Sequence, residues 1–432
     1  MDPISIFLAI CAIFAVFLAL GVPIFAALGV SSMMGMVLHG GLNGLQAIPS
    51  VLHRGLASYS IICVPLFILM GEVMARTSIG GRLYNLFFLW MNRVPGSLAI
   101  ASVGSSAVFG AMSGVSVAGA ATIGRFAIPE MLKRNYDPGL AGGSVAAAGS
   151  LALLIPPSIG FVLYGEVADQ SIGRLFTAAI LPGVLLTVLM MIYLYVSIRL
   201  RPSLAPTVQM QVTWGRRLHA LGEVWASLLI IILVLGSIYF GVATPTEASG
   251  VGALCALLVA LFYRELSVRM VFEILRSTMV TTSMILLIMV SALLFGYITT
   301  RLMIPQKLIQ WVAGLDQPGW LILLAVLFFL LVVGMFLDIV SIILITTPII
   351  LPVILALGYN PIWFGVLMII ACEMAVITPP VGLNLYVIKG IAPDISLNDI
   401  IRGALPFVLV EAVAIALLIF FPGIALWLPG RM

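Results

Sequence analysis

The sequence predicts an all-α polytopic membrane protein made of two halves in inverted orientation, each with a re-entrant helical hairpin and a transmembrane helix broken at a proline pair. Three observations lead there. Of the 432 residues, 62% are hydrophobic and 8% charged, with a mean hydropathy of +1.25, whereas a soluble domain carries about 25% charged residues. Two apolar segments, 144–164 and 367–386, each contain a Pro-Pro, at Pro156-Pro157 and Pro379-Pro380. These segments belong to a longer repeat: Tyr136-Asp137-Pro138 matches Tyr359-Asn360-Pro361, Gly142 matches Gly365, and the proline pairs match, all at one offset (359 − 136 = 379 − 156 = 223). Gly160 and Tyr164 echo Gly382 and Tyr386, and Ala179-Ile180-Leu181-Pro182 echoes Gly403-Ala404-Leu405-Pro406, with a drift of one residue.

Proline donates no backbone N–H, so the first pair frees the carbonyls of Ala152 and Leu153 and the second those of Ala375 and Val376. Hydrocarbon tolerates such carbonyls only where protein or a watery cavity surrounds them. Interrupted hydrophobic segments at equivalent places in two halves therefore point to a secondary transporter.

Taken in order, runs long enough for the roughly 17–25 residues of a span fall at 4–20, 24–38, 59–76, 139–168 (broken), 175–198, 223–241, 247–263, 277–300, 361–392 (broken) and 400–428. Asp2-Pro3 leads straight into the first without the basic start of a secretory signal. Two segments of a little over 30 residues, within 98–131 and 318–353, are too long for one crossing and too short for two, and read as hairpins of two half-helices. The first half is 1–200, the second 223–432, and the polar stretch 201–222 reads as a cytoplasmic linker. Ahead of each hairpin, 80–93 and 301–314 mix Arg or Lys with Trp and Leu, as suits a helix lying in the interface plane. If both hairpins return to the side they enter, only Arg54, Arg174, Arg301, Lys307 and Arg431 of the 20 Lys and Arg fall outside. That positive-inside bias places both termini outside and inverts the halves.

Other classes are disfavoured. Cys11, Cys63, Cys255 and Cys372 are scattered singly, suggesting neither a disulfide framework nor a metal site. A net charge of +4 does not imply nucleic acid. There is no Gly-x4-Gly-Lys-Ser/Thr loop and no His-Glu-x-x-His, and His39, His53 and His219 are isolated, so an enzyme is the weaker reading.

The candidate functional residues sit at the hairpin tips and breaks. In the first hairpin, Ser113-Gly114-Val115-Ser116 offers hydroxyls and carbonyls to a hard cation, Na⁺ or H⁺, although small residues here also serve helix packing. In the second, Asp338 is a lone carboxylate among apolar residues, and at membrane depth a lone charge is expensive enough to suggest a cation ligand or proton carrier. Glu373 takes the repeat position of Ser150 and could stabilise a mobile element or titrate. Glu72, Glu247 and Glu411 rank lower, as partners of Arg or of helix N-termini. Arg301 and Lys307 could dock a soluble partner or simply snorkel.

Residues 109–124 (FGAMSGVSVAGAATIG), 154–160 (LIPPSIG), 334–352 (GMFLDIVSIILITTPIILP) and 377–386 (ITPPVGLNLY) together resemble the large membrane subunit of tripartite ATP-independent periplasmic (TRAP) transporters, and the resemblance runs across nearly the whole chain. It implies a multi-pass inner-membrane protein of the ion-transporter superfamily, in which a mobile domain of hairpins and broken helices slides elevator-fashion against a fixed scaffold. It implies Na⁺ as coupling ion with no other cofactor, a separate small membrane subunit of about four helices, and a periplasmic binding protein that delivers an organic anion such as a C4-dicarboxylate or sugar acid. By position, one Na⁺ site would combine Ser113, Gly114 and Ser116 with Pro156 and Pro157, and the other Asp338 with Thr378 and Pro379. Substrate would lie near Ser158, Gly382 and Asn384. A stand-alone Na⁺/carboxylate symporter is the alternative.

Overall fold

The computed structural model describes residues 2–206 and 212–432; part of the expected linker, 207–211, lies outside the described residues. The described residues form helices and contain no β-strand. The first half runs α1 (Pro3–Ala19), α2 (Ile24–Gly40), α3 (Ile48–Leu56), α4 (Cys63–Arg76), α5 (Ile79–Met91), α6 (Ser97–Ser113), α7 (Ser116–Lys133), α8 (Pro138–Leu154), α9 (Ile159–Ala168) and α10 (Ile172–Leu200). After it come α11 (Trp214–Glu223), α12 (Trp225–Tyr239), α13 (Pro245–Phe262), α14 (Val268–Arg301), α15 (Ile304–Ala313), α16 (Gly319–Gly334) and α17 (Ile339–Ala356). The chain closes with α18 (Pro361–Val376), α19 (Leu383–Ile391), α20 (Leu397–Phe420) and the short α21 (Gly423–Leu426).

Helix starts follow local chemistry. Asp137 and Asn360 cap α8 and α18 with side-chain oxygens that accept from first-turn amides, each followed by Pro138 or Pro361, whose missing N–H costs nothing in a first turn. Ser171 and Ser396 do the same for α10 and α20. Thr244 and Glu247 form a reciprocal capping box at the start of α13. Element order therefore matches from α6 to α10 and from α16 to α20, with the side-chain caps shared between α8 and α18 and between α10 and α20.

Seven helices among the described residues are long and apolar enough to cross a bilayer, or nine if two bent pairs count as spans. That is fewer than the ten expected, because α1 and α18 stop at 17 and 16 residues. The α8–α9 pair bends by 42° at the first proline pair. The other bent pair, α11–α12 at 50°, was unforeseen: Thr213 accepts from the Arg216 amide and starts a helix inside the expected linker. The helix α17, assigned by sequence to a hairpin, is 18 residues long and itself passes the length test. At 34 residues, α14 extends about 51 Å at 1.5 Å per residue, well beyond a hydrocarbon core of about 30 Å.

The core lies along α8 and α18. Every residue from Gly139 to Leu154 and from Ile362 to Ile377 is buried, and a helix apolar on all faces needs partners on all faces. Around α8 pack α6, α7 and α20, while α16, α17 and α20 pack on α18. A second group joins α2 and α4 to α14 and α13, with Arg76 of α4 paired to Glu273 of α14 at 3.0 Å, while Arg82 ties α5 to Glu265 of the α13–α14 loop at 3.7 Å.

The α8–α20 contact is made backbone to backbone. A Cβ on Gly403 would lie 1.8 Å from the Gly139 carbonyl oxygen, and one on Gly143 2.1 Å from the Gly403 carbonyl carbon. Small residues permit this approach where apolar surface alone drives no association between helices in lipid. Gly403→Val should destabilise the protein by about 2 kcal/mol or more, as overpacking does. A thermal midpoint in detergent equal to wild type would show that the helices are not held by this contact.

Candidate functional site

Where α6 ends at Ser113, the chain reverses through Gly114, in the left-handed region at φ 61°, and an extended Val115, then restarts as α7 at Ser116. This tip seats against the first helix break. The Gly114 carbonyl accepts from the Ile159 amide at 3.5 Å, and a Cβ on Gly114 would lie 2.6 Å from the Pro157 carbonyl oxygen. Glycine is thus required twice over, by its backbone angle and by the lack of space. Residues 155–158 cross the break with a cis Pro156-Pro157 bond, and Ser158 stands at the N-terminus of α9.

The hydroxyls of Ser113 and Ser158 are buried at this junction, and neither has a hydrogen-bond partner. A buried hydroxyl without a partner costs about 1–3 kcal/mol. Two of them beside the non-helical backbone of 155–158 suit a hard cation that takes oxygen ligands without fixed geometry. Of the residues predicted for the first cation site, the structure brings Ser113, Gly114, Pro156 and Pro157 together, and Ser158, predicted for substrate, lies with them.

Ser116 is engaged elsewhere. The Asn384 Nδ2 donates to the Ser116 hydroxyl (2.8 Å) and to the Ala146 carbonyl (3.0 Å), and the Ser116 hydroxyl donates to Asn384 Oδ1 (3.0 Å). Asn384 lies in the first turn of α19, beyond the second break, and is fully buried. It therefore ties α19 to the first hairpin. Reciprocally, α9 packs against α17 of the second hairpin, and the Tyr164 hydroxyl donates to the Pro361 carbonyl at 2.7 Å.

The second junction repeats the first with its polar groups already paired. The Val381 amide donates to the Met335 carbonyl at 3.2 Å, seating the 335–338 turn against the break at 377–382. Pro379-Pro380 is again cis, and Gly382 adopts φ 53°. The Ala375 carbonyl, expected to be freed, accepts from the Thr378 amide at 3.1 Å, and the Thr378 hydroxyl donates to the Met374 carbonyl. Asp338 is not the bare charge its neighbours suggest. Half-buried, it caps α17, its carboxylate accepting from the Ser341 amide (3.2 Å) and from the Ser341 hydroxyl.

On the other face, Arg301 donates to the Tyr297 hydroxyl at 3.1 Å, and the Lys307 ammonium lies 3.8 Å from the Asp2 carboxylate, so each has a partner within the chain. Glu72 pairs with Arg76 and Glu247 caps α13, as expected of them. Glu411, ranked with these two, has neither an Arg nor a helix terminus; it is fully buried in mid-helix beside Ser150, whose hydroxyl donates to its Oε1 at 3.2 Å.

Residues 11–424 match the family model of the tripartite ATP-independent periplasmic transporter, DctM component. The chain belongs to this family. Among its relatives, the C4-dicarboxylate TRAP transporter large permease protein DctM of Pseudomonas aeruginosa is 36% identical over 374 residues, with 86% of each chain covered. The sialic acid TRAP transporter large permease protein SiaM of Vibrio cholerae is 32% identical, with 87% of each covered. The isethionate TRAP transporter permease protein DctMQ of Oleidesulfovibrio alaskensis is 33% identical, and there the match takes in 96% of this chain but 65% of the relative. Among solved structures, the YdaH transporter of Alcanivorax borkumensis has the same fold, with a TM-score of 0.64, 18% identity and coverage of 97% and 98%. This TRAP large subunit is a multi-pass membrane component of a transporter and not an enzyme.

Replacing Asn384 with Ala leaves the Ala146 carbonyl and Ser116 without their buried donor, a loss of about 1–3 kcal/mol. The thermal midpoint should fall, and Ser116→Ala combined with Asn384→Ala should cost less than the two single losses added together. Strict additivity would show that the two side chains do not act as a pair.

Proposed function

We propose that this TRAP large subunit imports a small organic anion, a carboxylate such as a C4-dicarboxylate or sugar acid, in symport with Na⁺ across the bacterial inner membrane. The observation that carries the reading is the seating of each hairpin tip in a helix break, with two partnerless buried hydroxyls, Ser113 and Ser158, at the first junction. One Na⁺ is held there, among Ser113, Gly114 and the Pro156–Ser158 backbone. A second is held by Asp338 with Thr378 and Pro379, using carboxylate lone pairs that the Ser341 cap leaves open. Substrate binds between the junctions, near Ser158, Gly382 and Asn384, where the N-termini of α9 and α19 offer amide dipoles to a carboxylate.

The two halves act as an inverted repeat. The hairpins and broken helices slide as one block against a scaffold that includes α2, α4, α13 and α14, and two Na⁺ moving inward gain about 2.3 kcal/mol each per 100 mV. A periplasmic binding protein delivers the anion, and a small membrane subunit of about four helices completes the complex, either as a separate chain or fused. That names of relatives include C4-dicarboxylate and sialic acid supports a carboxylate cargo.

Asp338→Asn separates capping from charge. Asparagine caps as well as aspartate, so the variant should keep its thermal midpoint while Na⁺-driven uptake into liposomes falls by roughly a hundredfold, about 2.7 kcal/mol. Normal Na⁺ dependence in the Asp338→Asn variant would remove Asp338 from the cation site. In the same liposomes, uptake should require the large subunit, its small subunit and the binding protein together. Uptake by this chain alone would make it a stand-alone symporter.

A further inference from the structure

Glu373 and Glu411 lie deep in the block formed by α8, α18 and α20, with Glu373 beside Leu154, the last residue of α8 before the first break. Each is 0% exposed. Both Glu373 carboxyl oxygens and Oε2 of Glu411 are buried without a hydrogen-bond partner, and among the described residues neither glutamate is ion-paired. Their helices meet, α18 packing on both α20 and α8, so that the two carboxyls act on each other, while Ser150 of α8 donates to Glu411 Oε1 at 3.2 Å. Ser150 and Glu373 occupy the same repeat position (373 − 150 = 223). Thus one half supplies a hydroxyl and the other a carboxyl to a single spot beside α20.

Two carboxylates side by side with no counter-charge do not persist in such a place. An unpaired buried ion is costly because it has left water without gaining a counter-charge, and a like charge beside it adds repulsion. Something neutralises at least one of them. A Na⁺ ion requires a shell of oxygens, but the hydroxyl that reaches Glu411, that of Ser150, also donates to the Ala147 carbonyl at 2.7 Å. The adjacent groove between α16, α18 and α20 is lined by apolar side chains, including Leu327, Ala371, Met374, Ala412 and Ile415. A proton needs no such shell.

We propose that Glu373 and Glu411 form a proton-binding site, a carboxyl pair that shares at least one proton at neutral pH, and that the helical block moves only while the pair is protonated. The other ionisable groups near it do not supply a counter-charge. Cys372 adjoins Glu373, with Asp338 beyond it at the start of α17; α8 and α16 carry no ionisable side chain. On α10, Tyr193 packs on Phe407 at 5.0 Å between ring centres, and Arg174 and Arg199 sit in its first and last turns. The α9 helix brings Tyr164, bonded to Pro361, and Glu166, while Lys389 of α19 donates to the Pro393 and Ile395 carbonyls. Asp399 and Arg402 lie at the start of α20, two to three turns from Glu411.

Infrared spectroscopy of the full chain in proteoliposomes tests the site without reference to transport. At neutral pH the wild type should show a carboxylic acid C=O band that shifts in D2O and disappears in Glu373→Gln/Glu411→Gln; if that variant fails to fold, Glu373→Gln alone should remove part of the band. An unchanged band in these variants, or a band that appears only when Na⁺ is withdrawn, would overturn the proposal, the latter in favour of bound Na⁺. In the complete transporter, wild-type uptake should fall on the alkaline side by about tenfold per pH unit, as loss of one proton requires. The double glutamine variant, fixed in the neutral form, should keep uptake without that fall. A folded variant with no uptake while wild type is active would overturn the coupling to movement. If no anion is carried at all, the function proposed above fails while the infrared result stands.

Discussion

Between Leu154 and Ile159, and again between Val376 and Leu383, the chain leaves the helix in the middle of its most buried segments. Non-helical backbone at that depth has to be wrapped by protein, since hydrocarbon offers no partner for a carbonyl or amide. The wrapping is done by the hairpin tips, through the Ile159–Gly114 and Val381–Met335 contacts. Burial of α8 and α18 on all faces, the glycine contacts that draw α20 against α8, and the placing of Ser113 beside Ser158 all follow from keeping those two openings closed.

The two junctions share a plan and differ in what they leave open. At the first, two hydroxyls are unpaired; at the second, Thr378, Asp338 and the Ala375 carbonyl are all engaged. A repeat therefore yields one junction with two unpartnered hydroxyls and one whose donors are bonded within the chain, leaving only carboxylate lone pairs of Asp338 open. The glutamates follow the same divergence, with a hydroxyl in one half and a carboxyl in the other at position 150 or 373.

Much of this was legible in the sequence because proline, glycine and capping residues leave signals that survive without context. The offset of 223 residues located the breaks, and the small-residue run located the first tip. Helix boundaries were harder to read, since an apolar helix buried on every face shows no periodic stripe to mark its ends. Asp338 reads as isolated from its apolar neighbours alone, whereas the Asp-x-x-Ser spacing to Ser341 is the local signal of a helix cap. The Ser116–Asn384 bond joins residues 268 apart, and the Glu373–Glu411 pairing crosses from one helix to another. No local pattern encodes either one.

The exchange of partners between halves, α19 on α7 and α9 on α17, also bears on how the protein is made. A ribosome completes α9 about 170 residues before α17 begins, which at roughly 5–20 residues per second leaves it without its final neighbour for about 10 to 30 seconds. During that interval the first half is an incomplete clasp, its break and its Ser158 facing lipid, translocon or chaperone. The apolar surface that α17 and α19 cover in the finished fold is thus open for as long as the second half is still being made.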